Sequence, residues 1–249
     1  PQSVCQKLKE DLLSKNVEFC FGTPFTPEDY RDDYVVNCAG MYADKIATQM
    51  GVVHNYEILP LKGNYLAIDD DLPIKKNIYP VPRLSNPFLG VHFTLTSQGQ
   101  LKVGPTAQPA LSRENYRGFQ NIQWGDFFRI LWINIRLFLN NSFNYRSVAL
   151  HELRLMRKSF LLKVANKMVK KGAKKHSPLP SGIRAQLICR DSLELVTDFK
   201  FLHQPMATHL LNVVSPGFTC AFSLAEIAVD EIHKNLTEKI KRPVDKGGV

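Results

Sequence analysis

A histidine and three cations stand in sequence settings that suit acid–base or carboxylate chemistry. His92 lies in Val91-His92-Phe93-Thr94-Leu95-Thr96, where apolar and polar residues alternate. Alternation puts Val91, Phe93 and Leu95 on one face of a strand and His92, Thr94 and Thr96 on the other. An imidazole on that polar face can take up a proton near neutral pH. Arg184 follows Ser181-Gly182-Ile183 at the mouth of another extended run, and its planar fork matches a carboxylate bidentately. Lys62, in Lys62-Gly63-Asn64-Tyr65, and Arg113 offer the same kind of contact. Each has a plainer reading, a hydrogen-bonded sheet histidine or a surface ion pair, and spacing alone favours the plainer one.

Two further segments share a layout of apolar strand, small-residue turn and helix. They are Val35-Val36-Asn37-Cys38-Ala39-Gly40-Met41-Tyr42-Ala43-Asp44 and Leu210-Leu211-Asn212-Val213-Val214-Ser215-Pro216-Gly217-Phe218-Thr219. A helix start offers unpaired N–H groups and partial positive charge, and a glycine there lets a ligand approach the backbone. Such turns suit a phosphate or the electron-rich edge of a ring. Ordinary strand-to-helix packing explains the same pattern, and pattern alone favours it. Other chemistry is excluded by absence of its motif. There is no GxGxxG, no P-loop, no GxSxG, and His151-Glu152 lacks a second histidine at metalloprotease spacing. The cysteines Cys5, Cys20, Cys38, Cys189 and Cys220 form no CxxC pair, so no metal site is expected and a reducing compartment is favoured.

The elements that must position these residues can be read from periodicity. Val4, Leu8 and Leu12 predict an amphipathic helix over 3–15, and Val17–Phe21 a short strand. Tyr34–Asn37 reads as a strand leading into a helix that Gly51 terminates. From Tyr56 the texture turns extended: Tyr56–Ile68, Asn77–Val81, Leu89–Thr96 and Leu101–Gly104 predict an antiparallel sheet, with a hairpin at Ser97–Gln100. Residues 125–175 read as helical, Arg184–Cys189 and Leu195–Phe201 as a strand pair, and His209–Val214 as a strand. The last helix spans Phe218–Lys234, with Ala221, Leu224, Ala225, Ala228 and Ile232 as its buried face, and a frayed tail follows over 235–249.

The chain has 249 residues, 44% of them hydrophobic and 22% charged, which fits a folded protein with a real core. No apolar run reaches the roughly 18 residues of a membrane span. The net charge of +9 has one address. Arg154, Arg157, Lys158, Lys163, Lys167, Lys170, Lys171, Lys174 and Lys175 form a basic stretch without an acid, and the remainder of the chain is neutral. A stripe confined in this way argues against nucleic acid as partner. With Trp124, Trp132 and several phenylalanines beside it, the stretch points instead to a solvated helix face or a peripheral membrane contact. No charged-then-apolar leader follows Pro1.

In order and spacing, these segments resemble the L-2-hydroxyglutarate oxidase/dehydrogenase group within the D-amino-acid-oxidase-like FAD oxidoreductases. The residues that carry the resemblance are Val35–Asp44, Lys62–Tyr65, Asn77–Pro82, Pro87–Thr94, Gly104-Pro105 with Arg113–Tyr116, Ser181–Gln186, Asp198-Phe199 and Ser215–Thr219. The run Asn77–Pro82 with Pro87–Thr94 is the specific part; Val35–Gly40 is shared across the wider superfamily. Three positions depart from the family pattern: Asn64, Thr106 in Gly104-Pro105-Thr106, and Asp191-Ser192. The family's N-terminal strand–GxGxxG–helix unit is missing, so the sequence is expected to be a fragment.

The resemblance implies an α+β fold. Residues 1–56 and 203–234 would form a partial Rossmann-like FAD-binding domain, and residues 57–202 an antiparallel-sheet substrate domain with covering helices. It implies FAD as cofactor and a small 2-hydroxy acid as substrate. His92 is then the base and Arg184 the partner of the substrate α-carboxylate. Lys62, Tyr65 and Arg113 are candidates for the distal carboxylate. Asn37, Ala39, Gly40, Ser215, Pro216, Gly217 and Thr219 would line the cofactor cleft. Oxygen or a quinone would accept the electrons. The place would be cytoplasmic or at the inner membrane in bacteria, mitochondrial in eukaryotes. The competing expectations are an amine, amino-acid or glycerol-phosphate oxidase of the same superfamily, and a flavin-free fragment whose basic helix binds a membrane or partner.

Overall fold

The computed structural model describes residues 2–81, 90–213 and 217–241, with side chains described as far as Thr237. The chain divides into two compact units, Pro1–Val35 and Val36–Val249. The first contains α1 (Gln2–Ser14), at its expected place. Val17–Phe21, expected as a strand, pairs with no strand among the described residues. Its rings Phe19 and Phe21 stack on each other with centroids 5.4 Å apart instead.

The larger unit mixes helices and sheets, an α+β architecture. Its order begins with β1 (Val35–Asn37), α2 (Ala43–Gln49), β2 (Tyr56–Gly63), β3 (Leu66–Ile68), β4 (His92–Leu95), β5 (Leu101–Gly104) and β6 (Gln108–Pro109). Then follow α3 (Trp124–Asn140), α4 (Tyr145–Leu155), α5 (Lys158–Ala165), β7 (His176–Pro178), β8 (Gly182–Cys189), β9 (Lys200–Gln204), β10 (Ala207–Asn212) and α6 (Ala221–Lys241). Three sheets result, with orders β1-β10-β9, β6-β2-β8 and β4-β5-β3-β7. Gly51 ends α2 as expected: its φ of +79° lets its own N–H reach Thr48 O while Val52 N–H reaches Ala47 O.

Each sheet has its own apolar packing. The four-stranded sheet buries Leu66, Ile68, Val91, Phe93, Leu101 and Val103 against Leu161, Leu162 and Ala165 of α5. In the long antiparallel pair of β2 with β8, Leu59 and Leu61 meet Ile130, Ile133 and Leu137 of α3 on one face. On the other, Ile58 and Leu187 meet Ala43 and Ala47 of α2.

Several expected elements are shifted. Asn77–Val81 forms only an isolated bridge, Ile78 with Phe93. Leu195–Phe201 does not pair with Arg184–Cys189 beyond the bridge of Ile188 with Leu195; the strand starts at Lys200 and pairs with β10. The basic stretch is not one helix. It runs from the end of α4 through α5 into a short turn and a loop, because Asn166 bonds both the N–H and the carbonyl of Ala173 and folds the chain back. The last helix continues to Lys241, past the expected start of a frayed tail. On its expected buried face only Leu224 and Ala228 are buried, while Ala221 and Ala225 line an open hollow.

Candidate functional site

His92 opens β4 opposite Gly104 of β5, and Thr94 lies opposite Lys102. Because cross-strand neighbours share a face, His92, Thr94 and Lys102 stand opposite the core residues Phe93 and Val103. His92 is nevertheless 8% exposed. Its Nδ1 lies 2.9 Å from Gly90 O, and a carbonyl can only accept, so Nδ1 carries the proton and Nε2 the free lone pair. Tyr79 covers the ring at 4.6 Å between centroids. Burial pushes the imidazole pKa below its ordinary value; the bond to Gly90 opposes this, and the cations Arg184 and Lys102 reinforce it. The histidine is therefore neutral at neutral pH.

Arg184 reaches the same place from β8. It lies opposite Leu61 of β2, and a Cβ at the neighbouring Gly63 would sit 3.9 Å from its Nη2. That Cβ would also meet Pro105 Cβ at 3.1 Å and the Thr106 carbonyl at 3.3 Å, so glycine keeps this corner open. Among the described residues the guanidinium makes no hydrogen bond and no ion pair. Its electrostatic neighbours are His92 and Glu152. Glu152 projects from α4, 8% exposed, and accepts the Ala107 N–H at 2.6 Å. Burial raises its pKa against the pull of that N–H and of Arg184. The corner thus holds a neutral base, a cation short of an acceptor, and a buried carboxyl behind them. Tyr65 borders it: Lys102 Nζ stands 4.8 Å over its ring. Tyr65 also packs against Gly104, whose absent Cβ would fall 2.8 Å from Tyr65 Cδ1. Thr106, a departure from the family pattern, is 1% exposed and accepts the Asn64 N–H at 3.1 Å, tying this turn to the end of β2.

The structure does not bring every expected residue to that corner. Lys62 lies opposite Ile183, one residue out of phase with Arg184, so the two cations occupy opposite faces of the β2–β8 pair. Lys62 Nζ donates to Asn115 Oδ1 at 2.6 Å, and burial lowers its pKa. Arg113 is not available to a substrate. It is 1% exposed, its two terminal nitrogens each meet an Asp44 oxygen at 2.8 Å, and it also donates to Met41 O. Burial would raise the Asp44 pKa, but the Arg113 guanidinium and the Ile58 N–H outweigh it and hold the carboxyl below its ordinary value.

The first strand–turn–helix is built by Asn37. Its Oδ1 accepts the Ala39 N–H at 3.1 Å, and its Nδ2 donates to Ala43 O at 2.9 Å and to His209 Nδ1 at 3.0 Å. His209, unnoticed in the sequence, is fully buried, and its Nε2–H donates to Gln204 Oε1 at 3.2 Å. Burial, with His54 and His203 nearby, pushes its pKa down to about 4. Gly40 has φ +54°, and a Cβ there would meet nothing within 4 Å. Gly40, Cys38, Ala185, Val213 and Gly217 share an apolar hollow of 410 Å³ with one side of α6. Thr219 is exposed in the turn before α6. Ser215 and Pro216 lie outside the described residues. The hollow contains neither His92 nor Arg184; Ala185, the neighbour of Arg184 in β8, lines it from the opposite face of that strand. Its lining suits a flat apolar ring and holds no cation for a diphosphate, so these residues fit the ring portion of FAD alone. No cluster of potential metal ligands occurs among the described residues.

Residues 1–231 match the family model described as DAO: FAD dependent oxidoreductase. The chain belongs to this family. FAD is accordingly the cofactor of its family, and redox enzymes are its members. Several similar curated proteins are L-2-hydroxyglutarate dehydrogenases. The L-2-hydroxyglutarate dehydrogenase of Escherichia coli K12 is 31% identical over 85% of this chain and 50% of its own length. The mitochondrial L-2-hydroxyglutarate dehydrogenases of Bos taurus and Homo sapiens are 33% and 30% identical over 83% of this chain and 46% of theirs. The chain thus spans about half the length of the curated relatives it matches. An FAD-bound, dithionite-reduced L-α-glycerophosphate oxidase from Mycoplasma pneumoniae overlays 82% of this chain and 42% of its own, with TM-score 0.46 and 19% identity. No described helix is long and apolar enough to cross a membrane.

Proposed function

We propose that this chain is the substrate-holding part of an FAD-dependent oxidoreductase that converts a 2-hydroxy acid of the L-2-hydroxyglutarate kind to the 2-oxo acid. One observation carries the reading: a half-buried arginine with no acceptor among the described residues stands beside a histidine that is held neutral. The relatives' names support the choice of substrate class. FAD, when bound, supplies the acceptor of the hydride that leaves C2. Arg184 binds the α-carboxylate, which would be costly to desolvate without a cation. His92 Nε2 takes the hydroxyl proton, its ring fixed by the Nδ1–H bond to Gly90. Carboxylate at Arg184 offsets a positive charge that depresses His92, so substrate binding makes the base stronger. Tyr65 borders the space for the distal carboxylate; Lys62 serves the opposite face.

In this reading residues 1–56 and 203–234 belong to the flavin-binding part and 57–202 to the substrate part. Asn37 and Ala39 shape the turn whose Gly40, with Gly217 across the hollow, meets the ring. Oxygen or a quinone takes the electrons onward. The test is a panel of 2-hydroxy acids, amino acids and glycerol phosphate offered to the flavin-loaded protein, with flavin bleaching as readout. Bleaching by a 2-hydroxy dicarboxylate, lost in Arg184→Ala, is the expected result. Bleaching by an amine or by glycerol phosphate alone refutes the substrate assignment.

A further inference from the structure

Glu152 stands where an acid is expensive. It lies within α4 on the buried side, with Leu155 on the same side of the helix. A carboxylate in such a place is costly unless its charge is answered. Its Oε2 accepts the Ala107 N–H at 2.6 Å, and its Oε1 has no partner among the described residues. The charged groups on the helices packed against α4 are engaged elsewhere. Arg129 of α3 is bound to Glu57 and Asp126, Arg136 donates to the Arg190 carbonyl, and Lys158 and Lys163 of α5 are exposed. The charge that acts on Glu152 is Arg184 of β8. From Phe127 to Arg190 Glu152 is the only acid. It comes near the guanidinium without closing an ion pair, so the cation is balanced at a distance and still free to take an acceptor.

An incoming carboxylate changes that balance. Two carboxylates around one guanidinium repel each other, and a proton on the buried one removes the repulsion. We propose that Glu152 is a positioning residue that acts through Arg184: charged in the empty site, it balances the guanidinium, and it takes one proton from water when a substrate carboxylate arrives. The inference rests on Arg184 being the carboxylate partner, as proposed above. Oε2 keeps the Ala107 N–H, and the unpartnered Oε1 receives the proton. Burial already favours the neutral form. Because the filled site holds the proton more tightly than the empty one, binding strengthens as pH falls through the interval between the two Glu152 pKa values and is flat outside it. His92 of β4 and Lys102 of β5 share the corner, and any proton that His92 gains on binding is retained in a Glu152 variant.

The probe is isotope-labelled 2-oxoglutarate, which has both carboxylates and no hydroxyl to oxidise, added to the flavin-loaded protein. Titration calorimetry gives Kd across pH, and buffers of different ionisation heat give the protons taken up. Wild-type Kd should weaken with rising pH, by up to about tenfold per unit inside the interval. Infrared difference spectra should show a carboxylic C=O band gained on binding, separate from the labelled ligand; this band needs no variant to be read. Glu152→Gln keeps an oxygen for the Ala107 N–H and should melt as the wild type does. It should lose the band and up to about one proton of uptake, and bind about tenfold tighter at the alkaline end, the equivalent of one pKa unit. A merely structural role moves none of these. Arg184-dependent binding without the band in the wild type, or with a band and pH slope that Glu152→Gln leaves intact, overturns the proposal and leaves Arg184 in place. Binding that Arg184→Ala leaves unchanged, or no binding at all, overturns both.

Discussion

Replacing Arg113 by alanine tests the reassignment of that residue from substrate to scaffold. The change removes two charge-assisted bonds, each 2.8 Å long, from a carboxylate that is 4% exposed. Asp44 keeps only the N–H groups of Ile58 and of Lys45, at 3.1 and 2.9 Å. Breaking a buried pair from one side costs about 3–5 kcal/mol, because the remaining charge is left uncompensated. In a unit of this size each kcal/mol moves the melting midpoint by about 2–4 °C, so a fall of about 6–20 °C is expected. Urea unfolding followed by tryptophan fluorescence gives the free energy. The pH dependence fixes the cause. A carboxyl with a lowered folded pKa contributes stability that is complete above its ordinary value of 3.8 and disappears as pH falls through the lowered value. In the alanine variant Asp44 prefers its proton, so acidification should narrow the gap between the two proteins. Arg113→Met with Asp44→Leu should lose less than the sum of the single changes. A loss under about 1 kcal/mol from Arg113→Ala, together with lost substrate binding, would refute the scaffold role.

Arg184→Ala should behave in the opposite way. Substrate binding in the flavin-loaded protein should weaken by about 2–4 kcal/mol, roughly 30- to 1000-fold, while the melting point holds, since the guanidinium has no acceptor among the described residues to lose. The same variant should raise the His92 pKa, read from its ring proton shifts, by removing a repelling cation. His92→Ala should slow flavin reduction and leave flavin content unchanged; a normal reduction rate would remove it from the chemistry. His209 should make the fold acid-sensitive: with a pKa of about 4 it stays neutral when the unfolded chain, near 6.5, has already gained a proton. Stability should therefore fall by up to about 3 kcal/mol as pH drops between those values, and His209→Gln should flatten the slope.

Much of the fold was legible where periodicity is strong. The alternation around His92 placed Phe93 in the core and the imidazole opposite, and Gly51 marked the end of α2 by the conformation it alone tolerates cheaply. The sequence was silent where partners decide. Val17–Phe21 has strand composition but pairs with no strand among the described residues. Leu195 has the apolar character of a strand, yet the ladder begins only at Lys200, where β10 supplies the opposite edge. The basic stretch falls within the segment 125–175 that reads as helical, but the Asn166 side chain captures the Ala173 backbone and turns the chain out of it. Glu152 was overlooked although a signal existed, an acid three residues before Leu155 on the buried face of α4. His209 left no such mark, since its partners Asn37 and Gln204 come from distant positions.

The division between Lys62 and Arg184 shows why a list of cations cannot define a site. Both stand on adjacent, antiparallel strands that run past each other for eight residue pairs, and both looked equally suited to a carboxylate. Register separates them. Because Leu61, not Lys62, stands opposite Arg184, a single step of phase sends the lysine toward Asn115 and the arginine toward His92, Gly63 and Glu152. The lysine then finds an acceptor at 2.6 Å, whereas the arginine finds none among the described residues. An unspent cation beside a neutral base has an electrostatic demand that an incoming carboxylate meets, and a cation already bonded to an amide does not. That difference, set by hydrogen-bond pairing rather than by residue type, is why we propose Arg184 rather than Lys62 as the partner of the substrate carboxylate.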